Sequence, residues 1–302
     1  MKSISVVISA FNEEDDIKDC LESVRQLADE IILVDNSSTD RTVTITRQFT
    51  KKIFSRPNNP MLNINKNFGF TKASGDWILN LDADERVTPE LRKEISSHLQ
   101  ESPLVGYEIP RKNIIFNKWI QHGLWWPDYQ LRLFQRGKGK FPCVHVHEKV
   151  KVQGKTARLK YPLFHYNYQT VSQFIQKLDK IYTENEAENF LESGRKIVWQ
   201  DAIRMPVNDF LSVFFSREGY KDGLHGLVLA LFQSFYALAV FAKVWEKQGF
   251  EEIKEKSFLD LIEKEFVRAG QKRNYWFLTT KIQQAERIFS KLWYQMKRKF
   301  NQ

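Results

Sequence analysis

Two carboxylates separated by one residue, Asp82 and Asp84, follow an apolar run from Trp77 to Leu81. Such a run is typical of a buried strand, and carboxylates at its end project into the crevice where open α/β sheets bind ligands. Aspartate oxygens at this spacing suit a hard divalent cation, Mg²⁺ or Mn²⁺, which commonly also binds a substrate diphosphate. A solvated turn is the alternative for the motif taken alone.

The segments before this motif alternate between strand-like and helix-like patterns. Short β-branched or apolar runs at 4–9, 31–34, 52–55 and 77–81 predict strands. The segments between them predict helices, and the first of these is clearly amphipathic. Alternation with short loops predicts an α/β fold, in which a mostly parallel sheet has helices on both faces.

Acidic or amide side chains come directly after these strands. Asn12 and Glu13 follow the first strand, Asp35 ends the second, and Asp82 follows the fourth. We therefore expect them along one edge of the sheet. No Gly-x-Gly-x-x-Gly follows the first strand and the chain has no Gly-Lys-Ser/Thr loop, which disfavours dinucleotide and P-loop sites. Phosphates would instead be held by a metal and by basic side chains.

Three segments together resemble family 2 glycosyltransferases, which have the GT-A fold: SVVISAFNEE at 5–14, VDNSSTD at 34–40 and LDADE at 81–85. The resemblance implies a site for a nucleotide-diphospho sugar, in which Asp35 hydrogen-bonds the base and Asp82 lies near the ribose and diphosphate. It implies that Asp84 holds the metal. Further residues that it assigns to the nucleotide pocket are Ala10, Phe11 and Glu13.

An inverting sugar transfer needs a carboxylate that accepts the proton of the acceptor hydroxyl. Glu148 and Asp128 are the two candidates. Related transferases carry a similar His-Glu pair after the metal strand, so the resemblance favours Glu148; an ion pair of Glu148 with Lys149 is the alternative. His145 and His147 share one face of this segment. We assign His147 to the metal, with a structural role as the alternative.

Arg132 is the candidate for a phosphate clamp, because a guanidinium can bind a phosphate through two hydrogen bonds. Processive members of the family carry Gln-x-x-Arg-Trp at this place. This chain instead has Gln130-Leu131-Arg132-Leu133-Phe134. The departure favours transfer of a single sugar over synthesis of a polymer.

The pattern becomes helical after residue 168, which predicts a catalytic domain at 1–168 and a helical region for membrane association and acceptor binding at 169–302. The run from Leu227 to Ala242 is strongly apolar but shorter than the roughly 20 residues that span a bilayer. Lys243 and Trp245 follow it, as interfacial anchors do. The sequence favours a helix lying in the membrane surface, and a buried core helix is the alternative.

Basic charge is concentrated near the end of the chain. Residues 271–302 contain eight Lys or Arg and one Glu, interleaved with aromatic side chains, within a chain whose formal net charge is +9. This pattern is typical of a helix that binds an anionic membrane surface. Nucleic acid is a disfavoured partner because the chain carries no recognition motif for it. Two cysteines and no export signal predict a cytoplasmic protein. The apolar and basic helices add the expectation that it is attached peripherally to the cytoplasmic face of the inner membrane.

Motifs in the later part of the chain, including His165-Tyr166 and Gly219-Tyr220, resemble lipopolysaccharide-core β-glucosyltransferases of the WaaE/KdtX type. This resemblance implies transfer of a hexose, glucose from UDP-glucose, to a membrane glycolipid such as the lipopolysaccharide core. Another cell-surface polysaccharide or a protein acceptor is the first alternative. A nucleotidyltransferase and a non-catalytic membrane-binding protein are alternatives of a different class.

Overall fold

The structure is a computed structural model that describes residues 2–59, 61–99, 103–144, 148–252 and 255–300. The chain forms two compact units. The first contains the chain up to Trp119 together with Trp126–Asn167, and the second contains Ile120–Trp125 and the chain from Tyr168 onward. The sequence analysis assigned Ile120–Trp125 to the catalytic domain. In the structure, the carboxylate of Asp222 accepts the backbone N–H groups of Gln121 and His122 at 3.1 and 2.8 Å.

Twelve strands lie among the described residues: β1 (Ile4–Ala10), β2 (Glu30–Asp35), β3 (Ile53–Ser55), β4 (Trp77–Leu81), β5 (Glu85–Val87), β6 (Gly106–Ile115), β7 (Lys118–Trp119), β8 (Asp128–Gln135), β9 (Gly139–Lys140), β10 (Lys151–Val152), β11 (Thr156–Arg158) and β12 (Leu163–Tyr168). Ten of them form one sheet in the order β3-β2-β1-β4-β8-β6-β12-β5, with β7 and β11 paired to β6. The four strands β3, β2, β1 and β4 are parallel, whereas β8 is antiparallel to both β4 and β6.

Helices of the first unit are α1 (Ile17–Val24), α2 (Thr42–Thr46), α3 (Leu62–Lys72) and α4 (Pro89–His98). They cover both faces of the sheet. Because successive strand residues point to opposite sides, each strand contributes to two cores. Ile8 and Leu79 belong to the core on the side of α1 and α4, while Val7 and Ile78 belong to the core that includes Phe70 of α3. The central strands β1 and β4 are buried almost throughout, as their near-continuous apolar sequences require.

Helices of the second unit are α5 (Val171–Lys177), α6 (Glu184–Glu192), α7 (Asp201–Leu211), α8 (Leu224–Lys247), α9 (Phe258–Gln284) and α10 (Ile288–Phe300). π-Helical segments at Leu178–Thr183 and Ser212–Ser216 continue α5 and α7. The unit is therefore helical, and α8 packs through Val240 and Val244 against Ala187 of α6.

The apolar run predicted at Leu227–Ala242 lies within α8, which has 24 residues. The helix is longer than the run because it continues at both ends. By length and composition alone, α8 could cross a membrane, and it is the single such helix in the described part of the chain. Of its apolar window, 28% is buried. Length and composition do not separate a membrane span from a core helix of a soluble protein, which meets the same criterion.

Candidate active site

The carboxyl ends of β1, β2 and β4 meet at one edge of the sheet. Ala10, the last residue of β1, pairs with Asp35, and Ile8 pairs with Leu81, the last residue of β4. This register brings Ala10, Asp35 and the Asp82 turn to the same edge, as the sequence predicts. Phe11 continues from β1 and is 40% exposed, so its ring is accessible to a ligand.

Asp35 is buried at this edge and its Oδ1 accepts the backbone N–H of Ser38 at 3.2 Å. Glu13 lies on the neighbouring turn, where its own N–H donates to the hydroxyl of Thr42 at 2.8 Å. The two loops that follow β1 and β2 are thus tied together by polar contacts. Such contacts fix the backbone that would surround a base.

A layer of buried amides lies behind these loops. Asn65 of α3 donates from Nδ2 to Oδ1 of Asn36 at 2.7 Å, and Asn36 donates to the hydroxyl of Ser9 at 3.1 Å. Because each amide has a partner, the layer fixes α3 against the ends of β1 and β2. The sequence analysis did not identify Asn36 and Asn65, and in the sequence they look like ordinary loop and helix residues.

Asp82 is the centre of a cluster of ion pairs. Its carboxylate bonds both Lys66 of α3 and Nη2 of Arg132 on β8. Arg132 Nη2 also donates to Oε1 of Glu85 at 2.7 Å, and Glu85 is completely buried. Burial acts to raise the pKa of Asp82, but the attraction of Arg132 and Lys66 outweighs it, so the pKa lies well below its usual range. Asp82 is therefore an anion at neutral pH.

Asp128, one of the two candidate bases, begins β8 and is held by Arg111 of β6. Arg111 Nε donates to Oδ2 of Asp128 at 2.8 Å, and Gln130 donates to Oδ1 at 2.6 Å. Burial acts to raise the pKa of Asp128, but the charge of Arg111 and these hydrogen bonds lower it overall. A carboxylate held in this way is a weaker proton acceptor than an ordinary aspartate.

Asp84 lies next to a histidine that the sequence analysis did not assign to the site. His165 of β12 places Nε2 at 3.4 Å from Oδ2 of Asp84, while its Nδ1 is 2.6 Å from Oδ1 of Asn113 on β6. Asn113 fixes the orientation of the imidazole, as second partners of metal-binding histidines commonly do. The aspartate oxygen suits Mg²⁺ or Mn²⁺, and the imidazole nitrogen beside it suits Mn²⁺ better than Mg²⁺.

No cluster of three or more His, Cys, Asp or Glu side chains that could hold a metal occurs among the described residues. His147, the histidine predicted as a ligand, lies outside the described residues.

Glu148, the preferred candidate base, lies between β9 and β10. Its Oε2 accepts the backbone N–H of Cys143 at 2.6 Å, and its Oε1 accepts that of Val144. Cys143 Sγ in turn lies 3.2 Å from the side-chain amide of Asn67 on α3. Two backbone donors thus hold the carboxylate.

The structure therefore adds four residues to those expected from the sequence: Lys66, Glu85, Arg111 and His165. Glu85 could have been found, because it directly follows the Asp-x-Asp motif. The other three lie 16 to 81 residues from their partners, on α3, β6 and β12. Of these, His165 belongs to a motif that the sequence analysis named, and no local pattern marks Lys66 or Arg111.

Residues 5–150 match the family described as Glycosyl transferase family 2. These residues form a family 2 glycosyltransferase domain. The match includes Asp82, Asp84 and both candidate bases. The match confirms the predicted family for this part of the chain, and the sheet with helices on both faces confirms the predicted α/β architecture.

The similarity to individual glycosyltransferases extends beyond this domain. The lipopolysaccharide core biosynthesis glycosyltransferase LpsC of Rhizobium meliloti is 27% identical over 254 residues, covering 82% of this chain and 93% of LpsC. An uncharacterized glycosyltransferase of Rickettsia typhi is 29% identical over 261 residues, covering 82% of this chain and 88% of its own. The resemblance to lipopolysaccharide-core enzymes is thus confirmed over most of the chain.

The similarity to solved structures is weaker. S. aureus TarS 1–349 has a TM-score of 0.42 and 14% identity, covering 84% of this chain and 93% of that chain. Glucosyl-3-phosphoglycerate synthase of Mycobacterium tuberculosis, crystallised with Mn²⁺ and UDP-glucose, has a TM-score of 0.32 and 24% identity, covering 36% of this chain and 44% of that chain.

Proposed function

We propose that this family 2 glycosyltransferase moves a single hexose, glucose from UDP-glucose, to a membrane glycolipid of the lipopolysaccharide-core type, with inversion at the sugar. The observation that carries the proposal is the Asp82–Asp84 turn at the carboxyl edge of β4, within a matched family 2 domain. The similarity to LpsC over most of both chains supports the acceptor class.

The donor diphosphate would lie between the cations and the metal ligands of this edge. Lys66 and Arg132 already surround Asp82, and both side chains are mostly buried. Held in place by carboxylates, these cations need little reorganisation to receive phosphate oxygens. Phe11 and Asp35 would contact the base, as the family resemblance implies.

Asp84 and His165 would hold the divalent cation. When bound, Mg²⁺ or Mn²⁺ neutralises charge on the departing diphosphate. His147 stays a prediction for the same role. Because Oδ1 of Asn113 accepts a hydrogen bond from Nδ1 of His165, Nε2 is the nitrogen left to face Asp84.

Glu148 would accept the proton of the acceptor hydroxyl. Of the two candidate bases, Asp128 has its pKa lowered and is ion-paired with Arg111, which reduces its basicity. We therefore assign Asp128 to the positioning of Arg111, which also lies 3.6 Å from Glu85. This assignment supports the preference for Glu148.

Peripheral attachment to the cytoplasmic face of the inner membrane completes the proposal. Leu231, Phe235 and Leu238 of α8 are 40–52% exposed and follow each other at spacings of four and three, so they share one face. On α10, Phe289 is 86% exposed and Leu292 is 52% exposed, beside several basic residues. Exposed apolar side chains with basic neighbours are typical of helices that lie in an anionic membrane surface.

Release of UDP from a panel of UDP-hexoses, with Mn²⁺ or Mg²⁺ and candidate glycolipids, tests the proposal. We expect turnover with UDP-glucose and a loss of at least roughly 100-fold in Asp84→Ala, since a metal contributes several kcal/mol to transition-state stabilisation. Asp19→Ala, which removes an exposed carboxylate of α1, is the matched control and should retain activity. No turnover with any donor, or full activity in Asp84→Ala, would contradict the proposal.

A further inference from the structure

A cavity of about 320 Å³ lies between α7 and α9 of the helical unit, and cationic side chains dominate its polar lining. Arg204 and Asn208 contribute from α7, while Glu265, Arg268 and Lys272 contribute from α9. The three α9 residues lie on one face because they are three, four and seven positions apart. The cavity is lined by residues of the second unit alone, so it is distinct from the donor site.

Glu265 holds both guanidiniums in place. It is 5% exposed, and its Oε2 and Oε1 accept from Nε and Nη2 of Arg204 at 2.8 and 2.6 Å. Oε1 also accepts from Nη1 of Arg268 at 2.7 Å. The hydrogen bond from Arg204 lowers the pKa of Glu265, so the carboxylate is ionised at neutral pH. It therefore orients two cations but can neutralise the charge of only one.

Lys272 adds a third cation, which bonds a neutral side chain. Its Nζ donates to Oδ1 of Asn208 at 3.0 Å. Among the described residues, no carboxylate other than Glu265 lies within 4.0 Å of the three cations. The cavity thus carries an excess of two positive charges, with guanidinium and ammonium donors still facing solvent. Oriented guanidiniums beside an ammonium are a fitting set of donors for a phosphate group.

We propose that this cavity binds the phosphate of an anionic lipid headgroup. The proposal rests on the peripheral membrane attachment proposed above and not on the transferase reaction. A lipid is favoured over a soluble phosphate because Ile203, Val207 and Ala269 also line the cavity, so that apolar surface lies beside the cations. Apolar side chains that border a phosphate site suit the boundary between headgroups and acyl chains.

Co-sedimentation of the full chain with phosphatidylcholine vesicles, with and without phosphatidylglycerol, tests the proposal. Arg268→Gln and Lys272→Gln each remove one charge from the cavity. Lys264→Gln removes one exposed charge from the same helix outside the cavity lining, and is the matched control. We expect about fivefold weaker partitioning for Lys264→Gln, the effect of one charge near an anionic surface. Each cavity variant should weaken partitioning to these vesicles at least roughly tenfold, since charge-assisted hydrogen bonds to the phosphate are also lost.

Equal losses in all three variants would overturn the proposal, because general charge attraction would then explain the binding. Soluble glycerol phosphate provides the second arm. If glycerol phosphate binds the protein without vesicles, while the cavity variants bind vesicles no more weakly than Lys264→Gln does, the ligand is a soluble phosphate and the lipid assignment is wrong. Thermal unfolding of both cavity variants confirms that they fold. UDP release, measured on the same samples, separates failure of the lipid site from failure of the proposed reaction.

Discussion

Individual charges in the first unit, which contains the candidate active site, are stabilised by partners that are distant in the sequence. Asp82 contacts Lys66 and Arg132, which lie 16 and 50 positions away. Such contacts keep the carboxylate ionised despite burial, because the attraction of two cations exceeds the cost of desolvation. Residue type and position after a strand predicted that Asp82 is functional. Its two cations could be identified only in the folded chain.

The choice between Glu148 and Asp128 can be decided by amide substitutions that remove the carboxylate charge. We expect Glu148→Gln to lower transfer by roughly 100-fold or more, the usual contribution of a general base, with UDP binding unchanged. Asp128→Asn should instead weaken UDP binding, because Arg111 loses its partner near Glu85. Single-turnover transfer and UDP titration by calorimetry separate these effects. Full activity of Glu148→Gln would move the base to Asp128.

Glu30 illustrates a charge that serves stability and not chemistry. It begins β2, at the opposite end of the strand from the site, and its carboxylate bonds Ser5, Lys52 and Ser74. Burial acts to raise its pKa, but these hydrogen bonds outweigh burial and lower the pKa to about 2 from 4.5. The ends of four parallel strands are thereby joined through one side chain.

This lowered pKa predicts a pH-dependent contribution to stability. The contribution is fully present above the unfolded-state pKa near 4.5 and is lost as the pH falls toward about 2. We expect Glu30→Gln to reduce the free energy of unfolding by about 2 kcal/mol at pH 7, and the difference from wild type to disappear near pH 2. Urea unfolding across this range measures it. A difference that does not change with pH would refute the role of the charge.

At the scale of elements, α3 connects the sheet to the site. Its Asn65 and Lys66 contact Asn36 and Asp82, so the position of the helix determines where both lie. Gly69 allows this position: a Cβ there would approach Val7 Cγ1 of β1 to 2.5 Å and Val34 Cγ2 of β2 to 2.9 Å. The sequence predicted the helix but not this close approach, which depends on how the helix packs on the sheet.

Gly69→Ala should therefore displace α3. We expect a destabilisation of about 1–3 kcal/mol, as for overpacked cores, together with weaker UDP binding because Lys66 moves with the helix. Gly270→Ala in α9 is the matched control, because a Cβ there meets nothing within 4 Å. That substitution should stabilise the protein by up to about 1 kcal/mol. Thermal unfolding and UDP titration measure both variants; the prediction fails if they behave alike.

At the scale of the whole molecule, charge and apolar surface are distributed unequally between the two units. The helical unit contains the exposed faces of α8 and α10 and the cationic cavity. The parallel half of the sheet belongs to the first unit, which contains the candidate active site, and its apolar strands are buried. This distribution supports a division between donor chemistry in one unit and membrane attachment in the other.

Removal of residues 285–302, which include α10, tests this division. A cut at this point leaves α9 complete, since α9 ends at Gln284. The deletion removes five Lys or Arg and one Glu, and each basic side chain contributes about 1 kcal/mol near an anionic surface. We expect binding to phosphatidylglycerol vesicles to fall by at least roughly 100-fold, with UDP binding unchanged. Phosphatidylcholine vesicles are the control. Unchanged co-sedimentation would refute attachment through this helix.

The sequence by itself determined the family, the α/β order of the first half, the edge at which the acidic side chains meet and the helical character of the second half. The family followed from the resemblance of three short motifs, whereas the other features depend on local patterns: strand and helix periodicity, and polar residues directly after strands. The Asp82-Ala83-Asp84 turn is one of these features, because carboxylates at the end of a buried strand project into the crevice at the carboxyl edge of the sheet.

Only the tertiary structure decided which groups surround that turn. His165 reaches Asp84 because β12 pairs with β5, and Arg132 reaches Asp82 because β8 pairs antiparallel with β4. Ile120–Trp125 likewise belongs to the second unit, where Asp222 and the carbonyl of Arg217 accept its backbone N–H groups. Contacts between residues far apart in the chain depend on strand order and register, which are properties of the assembled sheet and leave no periodic signal in the sequence.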